Sequence, residues 1–255
     1  MGVFLATPPA GGLTWLRLGT LGRPLPLEYC LLFGALISPT DPISVLGILK
    51  EVGAPRALEA TIAGESLFND GVGVVVFLVL LQVVAGGGDV SAGEVARLFA
   101  EEALGGIAYG LALGAVAYYL LRSLDNYQVE VLITLAVVTG GYALAERLHV
   151  SAPIAIVVTG LLVGNHGRYF AMSQSTREHL DTFWELVDVV LNAVLFVLIG
   201  LELMVLTLRS EYFLAGALII PGVLLARLTS VALPIGVLRR FRPIDPHTVK
   251  LMTWG

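Results

Sequence analysis

Long apolar runs separated by short polar breaks set the pattern of this chain. A helix needs about 20 mainly apolar residues to cross a bilayer core. On that measure eight segments are predicted, at residues 3–20, 27–49, 59–85, 102–121, 128–146, 150–164, 183–208 and 212–238. The first is interrupted by Pro8, Pro9 and Gly11–Gly12. The sixth is short and starts at Pro153, which predicts a tilted helix or one buried in protein. The stretch from Gly86–Gly88 to Glu102 reads as a charged linker. Residues 165–182 read as a polar link, in part an amphipathic helix lying at the surface. The expected fold class is an all-α polytopic membrane protein with about eight transmembrane helices.

Composition strengthens this picture. Apolar residues make up 56 % of the 255-residue chain and charged residues 14 %, against roughly 45–50 % and 25 % in soluble domains. Mean hydropathy is +0.86. Too few charges remain to cover a soluble globule, so lipid is the natural solvent and membrane lipid the expected surroundings. No basic stripe exists for nucleic acid. The net charge of −5 is spread thinly. The one cysteine, Cys30, sits in an apolar run and reads as a small packing residue. No cleavable signal peptide is evident. The even-numbered loops hold nine Lys and Arg, including Lys50, Arg56, Arg168, Arg177 and Arg239, against five in the alternate loops. The positive-inside rule therefore puts the even-numbered loops in the cytoplasm. Both ends lie close to apolar segments, and the chain reads as a fragment.

Two segments carry unusual residues. In the second, Ser38, Pro39, Thr40, Asp41 and Pro42 interrupt an apolar run. Proline removes a backbone donor and disfavours helix at the residue before it, so a discontinuous helix is predicted around 38–42. Non-helical backbone at membrane depth occurs only where it is buried in protein or lines a cavity. Unwound carbonyls there are a way to build a cation site.

The third segment holds Glu65, Ser66, Asn69 and Asp70 within six residues. At about 100° per residue, Ser66 and Asp70 lie about 40° apart, as do Glu65 and Asn69, whereas Glu65 and Asp70 diverge by about 140°. The two carboxylates should therefore face different neighbours. A carboxylate at a helix centre costs about 3 kcal/mol on insertion scales. It must pair, bind a cation or take up a proton, which makes it a natural point of competition between the last two. Gly64, Gly71 and Gly73 would let another backbone approach. Arg227 is the only charge between Glu211 and Arg239 and needs an internal partner. Glu65 is preferred, with Asp188, Asp41 and Glu202 as rivals on sequence alone. Asp188 and Asn192, one turn apart, are candidates for an entry funnel. His149, His166, His179 and His247 show no metal-ligand spacing.

The stretch SPTDPISVLGILKEVGAPRALEATIAGESLFNDGVGVVVF resembles the signature of the sodium/proton antiporters of the exchanger type, in the branch carrying an Asn-Asp pair. FVLIGLEL (196–203) and LLARLTSV (224–231) are similar to later landmarks of that family. The resemblance implies an inverted-repeat antiporter fold with crossed, broken helices. It reads 1–255 as a single transporter domain, incomplete at both ends, with ion-binding core helices at 27–85. Asp70 would be alternately protonated and cation-bound. Ser66, Thr40 and Asp41 would add oxygen ligands to a transported sodium ion. Glu65 and Arg227 would form a structural ion pair, and Asn69, counted with the cation- and proton-binding residues, implies one-for-one exchange. No cofactor is implied, since sodium and proton are substrates. A homodimer in the plasma membrane (the inner membrane in a bacterium) is implied by the family alone. The alternatives are a non-transporting antiporter fragment and an intramembrane aspartyl protease. The protease is disfavoured because no Gly-x-Gly-Asp pattern is present.

Overall fold

The computed structural model describes residues 2–22, 24–39, 56–86, 92–206 and 210–238. Among them there are helices and no strands. They are α1 (Gly2–Thr20), α2 (Leu27–Ile37), α3 (Arg56–Ala85), α4 (Ala92–Arg122), α5 (Tyr127–Arg147), α6 (Ala152–Leu162), α7 (Gln174–Val205) and α8 (Ser210–Leu238). A π-helical stretch, Val163–Gly167, and one α turn, Arg168–Phe170, continue α6. Five of the helices, α3, α4, α5, α7 and α8, hold segments long and apolar enough to cross a membrane. The chain divides into two compact units, residues 1–99 with 210–255, and residues 100–209.

In the first unit α1 packs on α2, α3 and α8, and α2 packs on α3. The interruption expected in the first segment is absent, because α1 is helical through Pro8 and Pro9. Its buried residues Val3, Ala6, Thr7, Ala10, Gly11 and Thr14 form a stripe of helical period. Pro8 is exposed and Pro9 half-buried, so neither ring lies in that stripe. The glycines are packing devices. A Cβ at Gly34 of α2 would lie 2.5 Å from the Thr7 carbonyl oxygen, and one at Gly11 would lie 2.8 Å from the Cys30 carbonyl oxygen. Small residues let two membrane helices touch backbone to backbone. Cys30 is buried at this crossing, as its setting predicts.

α2 ends at Ile37, where the sequence predicts a break. Pro39 has no N–H to offer the Ala35 carbonyl. Ser38 does not turn extended, as the residue before a proline usually does. It stays helical at φ −77° and ψ −31°, with its hydroxyl donating back to the Gly34 carbonyl at 2.5 Å.

In the second unit side-chain caps start three helices. Asn126 accepts from the Gln128 and Val129 amides at α5, Ser151 from Ile154 at α6, and Ser173 from Thr176 at α7. Such caps satisfy amides that the first helical turn leaves unbonded. Two expected links prove helical. Residues 92–101 are the first turns of α4, and 174–182 are the first turns of α7, so no separate surface helix occupies 174–182. Both helices extend past the apolar stretch that betrays them in sequence.

Candidate functional site

α3 carries the densest group of polar side chains within an apolar helix. Ser66 and Asn69 are each 2 % exposed, in line with the buried Ile62. Glu65 is half-buried, and its Oε1 accepts a hydrogen bond from Asn69 Nδ2 at 3.0 Å. This is the i, i+4 pairing that helical spacing predicts. The start of α1 abuts the pair, since a Cβ at Gly2 would lie 2.9 Å from Asn69 Nδ2. Asp70 lies about 40° beyond Ser66, and it is exposed at the edge of the buried face.

Its position along α3 is more telling. Gly73, less than one turn further on, packs against the Pro39 ring, where a Cβ would meet Pro39 Cγ at 2.5 Å. α3 therefore touches the broken segment beside Asp70. Of the three glycines expected to allow close approach, Gly73 does so. Gly71 is buried, and a Cβ at Gly64 would meet nothing within 4 Å. Pro39 immediately precedes Thr40 and Asp41, which lie outside the described residues.

Arg227 stands on α8 in the same unit and is half-buried. Its Nε and Nη2 are buried without a hydrogen-bond partner among the described residues. Glu65, its expected partner, stands on α3 in the same unit. Asp188 and Asn192 belong to α7 in the second unit, Asp188 exposed and Asn192 half-buried. Among the described residues no three His, Cys, Asp or Glu side chains gather in a way that could hold a metal ion.

One buried carboxylate is absent from the sequence reading. Glu130 of α5 is 1 % exposed. Its Oε1 accepts from the Asn126 amide at 3.2 Å and the Thr176 hydroxyl at 3.1 Å, while Oε2 has no partner among the described residues. Its only local signal is the Asn four residues before it, which reads as an ordinary helix start. The contact between the buried Thr7 and Ser38 hydroxyls, 3.4 Å apart across the α1–α2 crossing, is likewise invisible in sequence.

The sodium/hydrogen exchanger transmembrane family profile matches residues 1–249. The chain is 51 % identical over its whole length to the Na(+)/H(+) antiporter NhaP of Pseudomonas aeruginosa, of which it covers 61 %. It is 36 % identical to the Na(+)/H(+) antiporter NhaH of Halobacillus dabanensis, with 91 % of this chain and 57 % of that protein covered. It is also 37 % identical to the low-affinity Na(+)/H(+) antiporter NhaS1 of a Synechocystis strain, with 80 % and 39 % covered. The chain thus spans about three fifths of the length of the first two relatives.

Proposed function

The chain belongs to the sodium/hydrogen exchanger family, and from that premise we propose that it takes part in secondary antiport of a monovalent cation for protons, with Asp70 as the shared site. It is a multi-pass membrane protein; the plasma membrane as its location, and a homodimer as its assembly, are part of the proposal.

The observation that carries the reading is the contact of Gly73 with Pro39 beside Asp70. It brings a carboxylate on an apolar helix next to Pro39, and the residues that follow would offer carbonyls and hydroxyls as hard oxygen ligands. Desolvation favours the protonated carboxyl, whereas a cation favours the carboxylate. One Asp70 side chain would then hold a proton or a cation, never both. Binding one expels the other, and alternate opening to the two sides converts that competition into exchange. The position of Asp70 at the margin of the buried face supports this use, because a group that trades ions must be reached by them. Ser66, Thr40 and Asp41 would complete the oxygen set for sodium, with lithium and potassium as rivals. Asn69 bonded to Glu65, with Arg227 as the countercharge to Glu65, would hold the frame electrically neutral while Asp70 changes charge.

The test is cation-driven proton movement in proteoliposomes of the purified protein. Wild type should release or take up protons on a sodium pulse, and Asp70→Asn, inserted equally well, should not. Equal transport by both would overturn the reading.

A further inference from the structure

Helices α4 to α7 surround a cavity of about 310 Å³ whose lining residues all belong to the second unit, at the lower end of the range of small-molecule sites. None of the residues argued above for cation exchange lines it. Most of its wall is apolar, with Val137, Val138, Ile156 and Leu180 among the lining side chains. Gly160 and Gly164 also line it, and a Cβ at either would meet nothing within 4 Å. These glycines pack against nothing there and leave the space open. The wall continues into the π-helical stretch Val163–Gly167, a geometry that recurs at functional sites.

The cavity's charges fall together. Asp181 is one helical turn from Arg177, and it accepts two bonds from Arg168, at 2.6 and 2.8 Å. That pairing neutralises Arg168, and the carboxylate holds the guanidinium proton more tightly than usual. Arg177 remains as the uncompensated charge of the three. Its Nη2 donates to the Met172 carbonyl at 3.1 Å, but its Nε is buried with no partner among the described residues. The other polar side chains of the lining are already engaged. Thr159 donates to the Gly110 carbonyl, and Trp184 Nε1 donates to the Thr134 hydroxyl. The cavity thus joins an apolar body to one cationic side chain, Arg177, whose hydrogen-bonding capacity is not used up.

We propose that this cavity binds an anionic phospholipid, with an acyl chain along the apolar wall and the phosphate at Arg177. Lipid is the occupant that matches both halves. A soluble anion would leave the apolar wall wet, and an apolar molecule would leave Arg177 unanswered. Arg168 and Arg177 also lie within residues 165–182, the stretch that the positive-inside count assigns to the cytoplasmic side, where anionic lipids concentrate and where basic pockets between membrane helices hold their headgroups. The proposal does not depend on Asp70.

The test is lipid binding to the delipidated, purified protein in detergent, read by native mass spectrometry and by the shift in melting temperature. The probes are phosphatidylglycerol, phosphatidylcholine and inorganic phosphate. One phosphatidylglycerol should bind per chain, about fivefold more tightly than phosphatidylcholine, which offers the same phosphate but whose choline ammonium cancels the net charge that Arg177 attracts. Millimolar inorganic phosphate should neither stabilise the protein nor displace the lipid. R177Q should abolish the preference for phosphatidylglycerol, and R177K should keep most of it. G160L, whose side chain enters open space, should weaken both lipids while leaving the lipid-free melt intact, so it carries the test if R177Q fails to fold. An undiminished preference in R177Q or undiminished binding in G160L would overturn the proposal. So would displacement by phosphate alone, which would mark a soluble-anion site.

Discussion

Two glycines on α3 give opposite predictions for the same substitution. An alanine at position 73 would put a methyl carbon 2.5 Å from Pro39 Cγ, whereas one at position 64 would meet nothing within 4 Å. Carbon atoms pack best at about 3.5–4.0 Å, so Gly73→Ala must push α3 and the broken segment apart by roughly 1 Å. The proline ring has no flexible end to swing away. Alanine gains about 1 kcal/mol over glycine in a helix interior at either position. Overpacking costs about 1–3 kcal/mol. Gly64→Ala should therefore stabilise, and Gly73→Ala should lie about 1–3 kcal/mol below it. At about 2–4 °C per kcal/mol for a chain of this size, the two melting temperatures should differ by roughly 2–12 °C. Thermal unfolding of both variants in one detergent, followed by circular dichroism, measures this. Coincident melts, or a Gly73→Ala protein as stable as Gly64→Ala, would mean that α3 does not rest on Pro39.

Further predictions follow from the polar contacts. Asn69→Asp replaces an amide that donates to Glu65 with a second acid, which can donate only when protonated. The variant should lose stability as pH rises from 5 to 8, and wild type should lose less, as melts across that range would show. Arg227→Met should cost about 1–3 kcal/mol, the scale of a polar group left without its partner. Combining it with Glu65→Gln should recover part of that loss, with a coupling of at least about 0.5 kcal/mol in a double-mutant cycle by denaturant unfolding. Thr176→Val removes the hydroxyl that donates to the buried Glu130 and should cost about 1–3 kcal/mol in the same assay.

Most helices were legible because an apolar run of membrane-spanning length has few other uses. Their ends were not. The polar first turns of α4 and α7 lack the apolar signal, although Ser173 before α7 is a recognisable cap. Pro8–Pro9 and Gly11–Gly12 read as breakers, yet Gly11 serves contact with α2, a purpose that depends on a partner some twenty residues away. The pairing of Glu65 with Asn69 followed from helical spacing alone. Glu130 did not, because its second partner, Thr176, is 46 residues distant. The approach of α3 to Pro39 was half legible: three glycines allowed a crossing, and only the fold selected Gly73.

The central claim is that one carboxylate, Asp70, gives up a proton when a cation arrives. Proton release on adding sodium to the purified protein in weakly buffered detergent tests it most directly. Near the pH at which Asp70 is protonated without sodium, wild type should release up to one proton per chain, and Asp70→Asn none. Release of the same amount by the Asp70→Asn protein would contradict the account.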